Sequence, residues 1–452
     1  MNNLIATSEK IAVIGMGMTG FSAVRYLQNQ KKSVAVFDTR IAPPQLERFK
    51  QEFPEVEIVL GDKVTENSLL TFSRVVVSPG VSVKEAFIAN AIEKNINVVG
   101  DVQLFIEAIT APLIAVTGSN AKSTVTTLVG EMAKASGIDV AVAGNIGIPV
   151  LDLLQEEQKE LYVLELSSFQ LETIEKLNAS VACSLNVSMD HMDRYESFAA
   201  YHAAKQRVYF GAEKIVVNRD DELTKPPLRS DMSVMSFGMG SPDLKTFGVI
   251  SENGQAYLAR GLDKLLAVSE LKMKGKHNIA NALAALAIGS QAEFSIPAMI
   301  GVLKEFKGLA HRCESVASIE NVDYINDSKG TNVGATIAAL NGLARLPNKI
   351  ILIAGGEGKG ADFSLLAKPV KQYVRAVIVF GADAKIIAKI AEAQNVLVEH
   401  VDSMKSAVLA AKKQARSGDV VLLSPACASF DMFKNFEHRG ESFVKCVEDL
   451  AA

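Results

Sequence analysis

The chain has 452 residues, and at roughly 150 residues per domain this length predicts about three domains. It is 48% hydrophobic and 22% charged, as globular proteins are, and it has no apolar run of about 18 residues that could span a bilayer. Its 47 basic and 51 acidic side chains give a net charge of −4, which argues against nucleic acids and anionic lipid surfaces as main partners. The composition therefore favours small-molecule chemistry.

The N-terminus and the cysteines indicate the compartment. The first ten residues contain neither a basic leader nor a long apolar core followed by a small-residue cleavage site, so we expect a cytoplasmic protein. The four cysteines form no Cys-x-x-Cys pair, which disfavours zinc, redox and disulfide frameworks and favours reduced, mostly buried thiols. They are Cys183, Cys313, Cys427 and Cys446.

The first hundred residues predict a small α/β domain. A strand, a glycine-rich turn, a helix and a second strand follow one another, and two more apolar runs complete a sheet by about residue 100. The predicted segments are 10–14, 19–28, 33–37, 74–77 and 97–99.

The first glycine turn has the pattern G-x-G-x-x-G, with Gly15, Gly17 and Gly20 between the strand and the helix. Backbone N–H groups and a helix N-terminus at this position can bind a diphosphate. Asp38, at the end of the next strand, could accept hydrogen bonds from ribose hydroxyls or a base N–H. The pattern is typical of NAD sites, but it selects a diphosphate and not a nicotinamide, and a purely structural turn is the alternative.

A second unit starts with a predicted strand over 113–117. The strand runs into a polar loop and then a helix; the loop is Gly118-Ser119-Asn120-Ala121-Lys122-Ser123-Thr124. Such a loop can cradle phosphates with its amides, neutralise them with Lys122 and offer the Ser123 hydroxyl to Mg²⁺. The standard P-loop pattern would need glycine at 116 and 121, where this chain has Val116 and Ala121. We expect a shorter loop that starts at Gly118, and we expect Ala121 to exclude a strongly glycine-dependent backbone angle.

Two polar segments follow further predicted strands of this unit, at 162–164 and 181–186. One contains Glu165 and the other contains His191. Because strand ends of a doubly wound sheet converge, this carboxylate and imidazole could complete magnesium coordination beside Lys122, although a structural histidine is the alternative. The region 216–270 has shorter apolar runs and predicts an antiparallel appendage.

A third unit begins after Arg312. Strands are predicted at 323–325, 349–353, 376–380 and 420–423, and three polar or glycine-rich loops follow three of them, at 326–332, 355–362 and 424–429. Each loop alone could be a solvated turn. Two of them carry a lysine, Lys329 and Lys359, so together they predict a site for an anionic small molecule.

These ordered motifs resemble the Mur ligases of peptidoglycan synthesis over essentially the whole chain. The matching segments are 36–40, 78–80, 118–124, 144–147, 190–194 and 423–429, and the segment 429–440 resembles the member that adds D-glutamate. The resemblance implies an α/β protein of three domains. These are a Rossmann-like UDP-binding domain (1–100), a central P-loop ATPase-type domain with a small antiparallel appendage (101–308), and a Rossmann-like amino-acid-binding domain (309–452).

The resemblance also implies the reaction and its substrate contacts. ATP would activate UDP-N-acetylmuramoyl-L-alanine as an acyl phosphate, and D-glutamate would then attack to give a tetrahedral intermediate. Met18, Thr19, Gly80 and Asn145 would hold the UDP diphosphate, and Asp38 and Thr39 would hold the uracil. Thr331 and Lys359 would bind one carboxylate of D-glutamate, and Ser429 and the Phe436 backbone the other.

On the ATP side the resemblance implies two magnesium ions. Lys122 would bind the phosphates, Ser123 and Glu165 one ion, and His191 with a carbamylated Lys205 the second. His191 is also a candidate base, and Lys329 would help to spread the charge of the transferring phosphoryl group. Asn278 and Asn281 would lie on the adenine side, and Arg312 and Asp327 on the ribose side.

Two departures and several alternatives accompany this assignment. Ala121 stands where the family usually has glycine, so ATP binding would weaken modestly or the backbone would shift slightly, and Gly330 replaces the more usual alanine with an effect expected to be nearly silent. Another Mur-type or folylpolyglutamate-type ligase is the nearest alternative; an NAD-dependent oxidoreductase and a nucleotide-gated interaction protein are further ones. We expect a monomer whose last domain closes over the centre.

Overall fold

The computed structural model describes residues 9–226, 233–273, 275–344 and 346–451. Within these ranges three β-sheets follow one another along the chain, each flanked by helices, and no helix is long and apolar enough to cross a membrane. Most of the N-terminal segment that was searched for a leader, and part of the predicted appendage, lie outside the described residues.

The first sheet has five parallel strands in the order β3-β2-β1-β4-β5. The order reverses beside the buried central strand β1, so the loops after β1 and β4 open a crevice at the carboxyl edge. The strands are β1 (Lys10–Ile14), β2 (Ser33–Asp38), β3 (Glu57–Leu60), β4 (Arg74–Val77) and β5 (Asn97–Gly100), and the helices are α1 (Met18–Asn29), α2 (Leu46–Glu52) and α3 (Ala86–Glu93).

The central sheet has nine strands in the order β14-β13-β12-β11-β10-β9-β6-β8-β7. Its strands are β6 (Leu113–Thr117), β7 (Val140–Gly144), β8 (Leu161–Glu165), β9 (Val181–Ser184), β10 (Lys214–Asn218), β11 (Ser233–Phe237), β12 (Phe247–Glu252), β13 (Gln255–Arg260) and β14 (Asp263–Ala267). Its helices are α4 (Asp101–Ala108), α5 (Lys122–Ala135), α6 (Ser168–Glu172), α7 (Phe198–Gln206), α8 (Lys276–Gln291) and α9 (Ile296–Glu305). Strand β6 is buried along its whole length between β8 and β9, so the loops after all three lie together.

The predicted appendage over 216–270 is smaller than expected. Strands β10 and β11 are parallel members of the central sheet, and only β12, β13 and β14 pair in antiparallel fashion. The reason lies in β10, whose apolar run Ile215, Val216 and Val217 is buried in the domain core. The antiparallel strands continue the sheet through the pairing of β11 with β12.

The third sheet has six strands in the order β15-β16-β20-β17-β18-β19, all parallel except for the antiparallel pair β15 and β16. Its strands are β15 (Glu314–Ile319), β16 (Val322–Asn326), β17 (Ile350–Gly355), β18 (Val374–Phe380), β19 (Leu397–His400) and β20 (Val420–Leu423). Its helices are α10 (Val333–Leu343), α11 (Ala367–Tyr373), α12 (Ala384–Glu392), α13 (Met404–Gln414) and α14 (Phe436–Ala451). The predicted α/β class and the three successive units are confirmed.

The first two domains are packed tightly together. One hydrophobic cluster contains buried residues of both, and the Phe105 ring meets the Tyr162 ring edge-on at 5.0 Å. Across the same boundary the Ser22 hydroxyl donates to Asp152 over 2.7 Å, and the Gly100 N–H donates to the Thr173 carbonyl over 3.1 Å. A large substrate can therefore be held by both domains at once.

Candidate active site

A cavity of about 660 Å³ opens at the carboxyl edge of the first sheet. It brings together all six residues that were assigned to the UDP group, although they come from two domains. They are Met18, Thr19, Asp38, Thr39, Gly80 and Asn145. Met18 and Thr19 start α1 directly after the glycine turn, so their amides lie at a helix N-terminus.

Asp38 is fixed on the wall of this cavity. Its carboxylate accepts from the Met16 N–H over 2.8 Å and from Arg40 Nε and Nη2 over 2.9 and 2.7 Å. Burial alone would raise the pKa of Asp38, but the hydrogen bonds from Arg40 and Met16 outweigh it and hold the pKa below its usual value. The sequence did not single out Arg40, whose role depends on this contact.

A second cavity, of about 260 Å³, lies where the central and C-terminal domains meet. It is lined by every residue predicted to act in the reaction: Lys122, Glu165, His191, Lys205 and Lys329. The Lys122 Nζ donates to the carbonyl oxygens of Gly118 and Ser119 over 2.8 and 3.0 Å. Asn145 lines this cavity as well as the first one, so the two cavities adjoin.

Lys205 is buried on α7, whose first turn is capped by the Ser197 side chain. Only 2% of Lys205 is exposed, and its Nζ donates to the Gly118 carbonyl over 2.8 Å. Burial, with a smaller contribution from the Lys122 ammonium, holds the pKa of Lys205 well below its usual value. The neutral form of the amine is therefore far more populated in Lys205 than in a surface lysine.

The structure corrects the expectation for Ala121. Its φ of +66° places it in the left-handed region immediately before α5, the backbone angle that alanine was expected to exclude. The turn from β6 into α5 demands this angle whatever the side chain, and alanine tolerates it at a cost of roughly 1–2 kcal/mol. The loop thus keeps its shape despite the missing glycine.

Glu165 ends β8 and is 1% exposed. Its Oε1 accepts from Asn145 Nδ2 over 2.9 Å, whereas its Oε2 is buried without a hydrogen-bond partner. A carboxylate oxygen left free in a cavity beside a phosphate loop fits a hard divalent cation that takes its remaining ligands from phosphate and water. Consistent with so few protein ligands, no group of three His, Cys, Asp or Glu side chains that could hold a metal occurs in the described part of the chain.

His191 lies in a polar cluster that joins the central and C-terminal domains. Its Nε2 is 3.7 Å from Asp190 Oδ2, which also accepts from Asn332 Nδ2 over 3.0 Å. Lys359 Nζ lies 3.9 Å from the other Asp190 oxygen. Burial lowers the pKa of His191 against the opposing effect of Asp190, so the neutral imidazole is favoured.

The four residues assigned to the nucleoside line a third cavity, of about 110 Å³: Asn278, Asn281, Arg312 and Asp327. Arg312 Nη2 donates to the Ser123 hydroxyl over 2.5 Å, so this oxygen is engaged across the domain boundary. Burial raises the pKa of Asp327 to about 6 and lowers that of Lys329, which lines the second and third cavities, to about 8.

The four residues assigned to D-glutamate do not line one common cavity. Thr331 and Lys359 line one small cleft with His191. Ser429 is 3% exposed, and the Phe436 carbonyl accepts from the Ser328 hydroxyl over 2.8 Å. Neither of these two residues lines the four cavities described here.

The completely buried Arg439 ties the loops of the C-terminal domain together. Its guanidinium donates to the Ser328 hydroxyl and carbonyl over 3.0 and 2.8 Å, and to the carbonyls of Cys427 and Ala428 over 3.1 and 3.2 Å. It lies in the segment 429–440 that the sequence singled out, but no role was predicted for it. Only its surroundings show that it fixes the loops next to Lys329 and Ser429.

Family comparisons agree with this architecture. The family model of the Mur ligase MurD-like N-terminal domain matches residues 9–100, that of the Mur ligase middle domain residues 116–289, and that of the Mur ligase glutamate ligase domain residues 311–427. The chain belongs to the Mur ligase family. The predicted family is thereby confirmed, and the oxidoreductase alternative loses its support.

Within the family, the chain is similar over its full length to curated ligases for D-glutamate. It is 51% identical over 450 residues to UDP-N-acetylmuramoylalanine--D-glutamate ligase of Pseudomonas aeruginosa, covering 99% of this chain and 100% of the relative. The protein of the same name from Marinobacter nauticus is 49% identical over 448 residues, covering 99% and 100%.

Solved structures share the fold at lower identity. The UDP-N-acetylmuramate-alanine ligase MurC of Thermotoga maritima matches with a TM-score of 0.59 and 19% identity, covering 98% of this chain and 99% of that one. The MurF ligase of the same organism, in complex with ADP, matches with a TM-score of 0.60 and 15% identity, covering 97% and 95%. These likenesses concern the fold alone.

The strained angle at Ala121 predicts the effect of restoring glycine. We expect Ala121→Gly to raise the free energy of unfolding by about 1 kcal/mol in urea denaturation, because glycine adopts φ of +66° without a Cβ clash. The matched control is Ala135→Gly at the exposed last residue of α5, which has no strained angle to relieve and should not raise stability. Equal destabilisation by both substitutions would contradict the account of the loop.

Proposed function

We propose that the protein catalyses the ATP-dependent ligation of D-glutamate to UDP-N-acetylmuramoyl-L-alanine, a step of peptidoglycan precursor synthesis in the cytoplasm. The observation that carries the proposal is the junction of the two cavities at Asn145. A substrate whose UDP group fills the first cavity can extend its free carboxylate past Asn145 into the second cavity. The full-length similarity to ligases of that name supports the choice of substrates.

The first step transfers the γ-phosphoryl group of ATP to the substrate carboxylate. One carboxylate oxygen forms a bond to phosphorus while the bond from phosphorus to the bridging oxygen of ADP breaks. Lys122 and Lys329, both lining this cavity, stabilise the negative charge that spreads over the phosphoryl oxygens. The product is an acyl phosphate, which must be protected from water until the amine attacks.

The second step forms the amide. The ammonium of D-glutamate must lose a proton, and the neutral imidazole favoured at His191 can accept it while that nitrogen is not bound to magnesium. The amine nitrogen then bonds to the acyl carbon, and the tetrahedral intermediate collapses with loss of inorganic phosphate. His191 lines both the reaction cavity and the cleft of Thr331 and Lys359, which suits a group that acts on the incoming amino acid.

Residues in and beside the reaction cavity would also hold two magnesium ions. The free Glu165 Oε2 and the Ser123 hydroxyl would hold one ion once Arg312 releases that hydroxyl, and His191 and a modified Lys205 would hold the second. Bound magnesium supplies positive charge that offsets the charge of the phosphate oxygens.

Lys205 suits carbamylation because burial favours its neutral form. The neutral amine nitrogen bonds to the carbon of CO₂ and releases one proton, so an uncharged buried amine becomes an anion. The negative charge would lie close to the Lys122 Nζ, which donates to the same Gly118 carbonyl.

D-glutamate needs two anion sites, since it carries two carboxylates. Thr331 and Lys359 would bind one of them, and Ser429 and the Phe436 backbone the other. All four residues belong to the C-terminal domain, so we propose that this domain closes over the centre when substrates bind and carries D-glutamate to the reaction cavity. The protein would do this as a monomer.

The substrates can be tested by phosphate release from ATP. We expect release with UDP-N-acetylmuramoyl-L-alanine to depend on added D-glutamate, because the acyl phosphate turns over only when an amine attacks. L-glutamate serves as the matched control and should give little release. Release that ignores D-glutamate but follows L-lysine, diaminopimelate or a folate would overturn the assignment.

The role of Lys205 predicts chemical rescue. Lys205→Ala should lose nearly all ligase activity and regain part of it with added acetate or another small carboxylate, because such an anion can replace the carbamate. Lys176→Ala, at an exposed lysine outside the four cavities, should keep full activity and gain nothing from acetate. Full activity of Lys205→Ala without acetate would disprove the role.

A further inference from the structure

The UDP cavity contains a cation that belongs to the other domain. Arg194 follows β9 of the central sheet, yet its side chain lines the cavity of the first domain. Its Nη1 and Nη2 lie 3.4 and 3.5 Å from the carbonyl oxygens of Gly80 and Val81. These separations are long for hydrogen bonds from a guanidinium, which usually measure about 2.7–2.9 Å to an anionic acceptor.

The charges around the cavity leave Arg194 without a counterion. Four charged side chains line it: Asp38, Arg40, Glu85 and Arg194. Asp38 and Arg40 form a two-contact ion pair and neutralise each other. Among the described residues neither Arg194 nor the exposed Glu85 forms an ion pair. Arg194 is therefore the one cation on this wall that remains free to meet an anion.

The aromatic ring of Phe169 packs against the Arg194 guanidinium. The Arg194 Cζ lies 4.3 Å from the centroid of the Phe169 ring, a distance at which a cation is attracted to the ring face. Phe169 in turn meets the His191 ring at 4.8 Å. The guanidinium is thus held at the junction between the large cavity and the reaction cavity.

We propose that Arg194 binds the diphosphate of the UDP-linked substrate, an inference that rests on the proposed function. The residues assigned to this diphosphate, Met18, Thr19, Gly80 and Asn145, are all uncharged and offer only partial charges. A guanidinium presents two parallel N–H groups that match two phosphate oxygens. When the substrate binds, Arg194 exchanges its two long carbonyl contacts for contacts with phosphate oxygens. The central domain then binds a substrate that is held mainly by the first domain.

The inference is tested by binding of UDP and uridine to the whole protein, measured by calorimetry. Arg194→Met keeps the length of the side chain and should weaken UDP binding at least tenfold, while uridine, which has no phosphate, should bind wild type and variant equally. Arg194→Lys should lie between the two for UDP. Equal loss of UDP and uridine affinity, or unchanged UDP affinity in Arg194→Met, would overturn the inference.

The matched control is Lys84→Met. Lys84 forms an exposed ion pair with Glu196 across the same domain boundary but does not line the cavity, so its loss should leave UDP affinity unchanged. Steady-state kinetics should show that Arg194→Met raises the KM for the UDP substrate tenfold or more and leaves the KM values for ATP and D-glutamate within about twofold. Because UDP binding needs no turnover, an Arg194-dependent UDP site without D-glutamate-dependent activity would refute the proposed function and not this site.

Discussion

Two lysine side chains donate to one carbonyl oxygen at the centre of the molecule. Lys122 Nζ and Lys205 Nζ each lie 2.8 Å from the Gly118 oxygen, and neither forms an ion pair within the described residues. Burial lowers the pKa of both lysines. Positive charge is costly to bury without a counterion, so anions would stabilise this site. Phosphate binding and the proposed carbamylation of Lys205 would both supply the negative charge that this site needs.

The central and C-terminal sheets place the other groups at the same site. Strand β6 leads into the phosphate loop, β8 ends at Glu165, and β16 leads to Asp327 and Lys329. Asn332 Nδ2 donates to Asp190 over 3.0 Å and to the Asn120 side chain over 3.2 Å, so the C-terminal domain contacts the central domain at the site. With a net charge of only −4, the protein captures its anionic substrates through such local groups and not through its overall field.

Much of the fold was predictable because buried strands are continuous apolar runs, as β6 and β17 are. The four strands that were not predicted in the α/β units, β3, β7, β15 and β19, all lie at sheet edges. At such edges solvent allows polar residues, as in β3, β15 and β19; β7 is short and apolar, and its sequence does not explain the omission. Site residues next to strands, such as Glu165, could be found from the sequence. Lys205 could not, since nothing local distinguishes it from a surface lysine on a helix; only the family resemblance indicated it. Arg194 and Arg439 contact distant segments of the chain, which the sequence does not reveal. Arg40 contacts its near neighbour Asp38, and the angle at Ala121 is imposed by the turn around it.

The central claim is that the substrate carboxylate becomes an acyl phosphate in the cavity lined by Lys122, Lys205 and Lys329. The most direct measurement uses UDP-N-acetylmuramoyl-L-alanine labelled with ¹⁸O in its free carboxylate, with ATP and D-glutamate, followed by mass analysis of the released phosphate. The account predicts one ¹⁸O atom in each phosphate, because the bond from the acyl carbon to that oxygen breaks when the amide forms. Unlabelled phosphate formed in step with the amide product would contradict it.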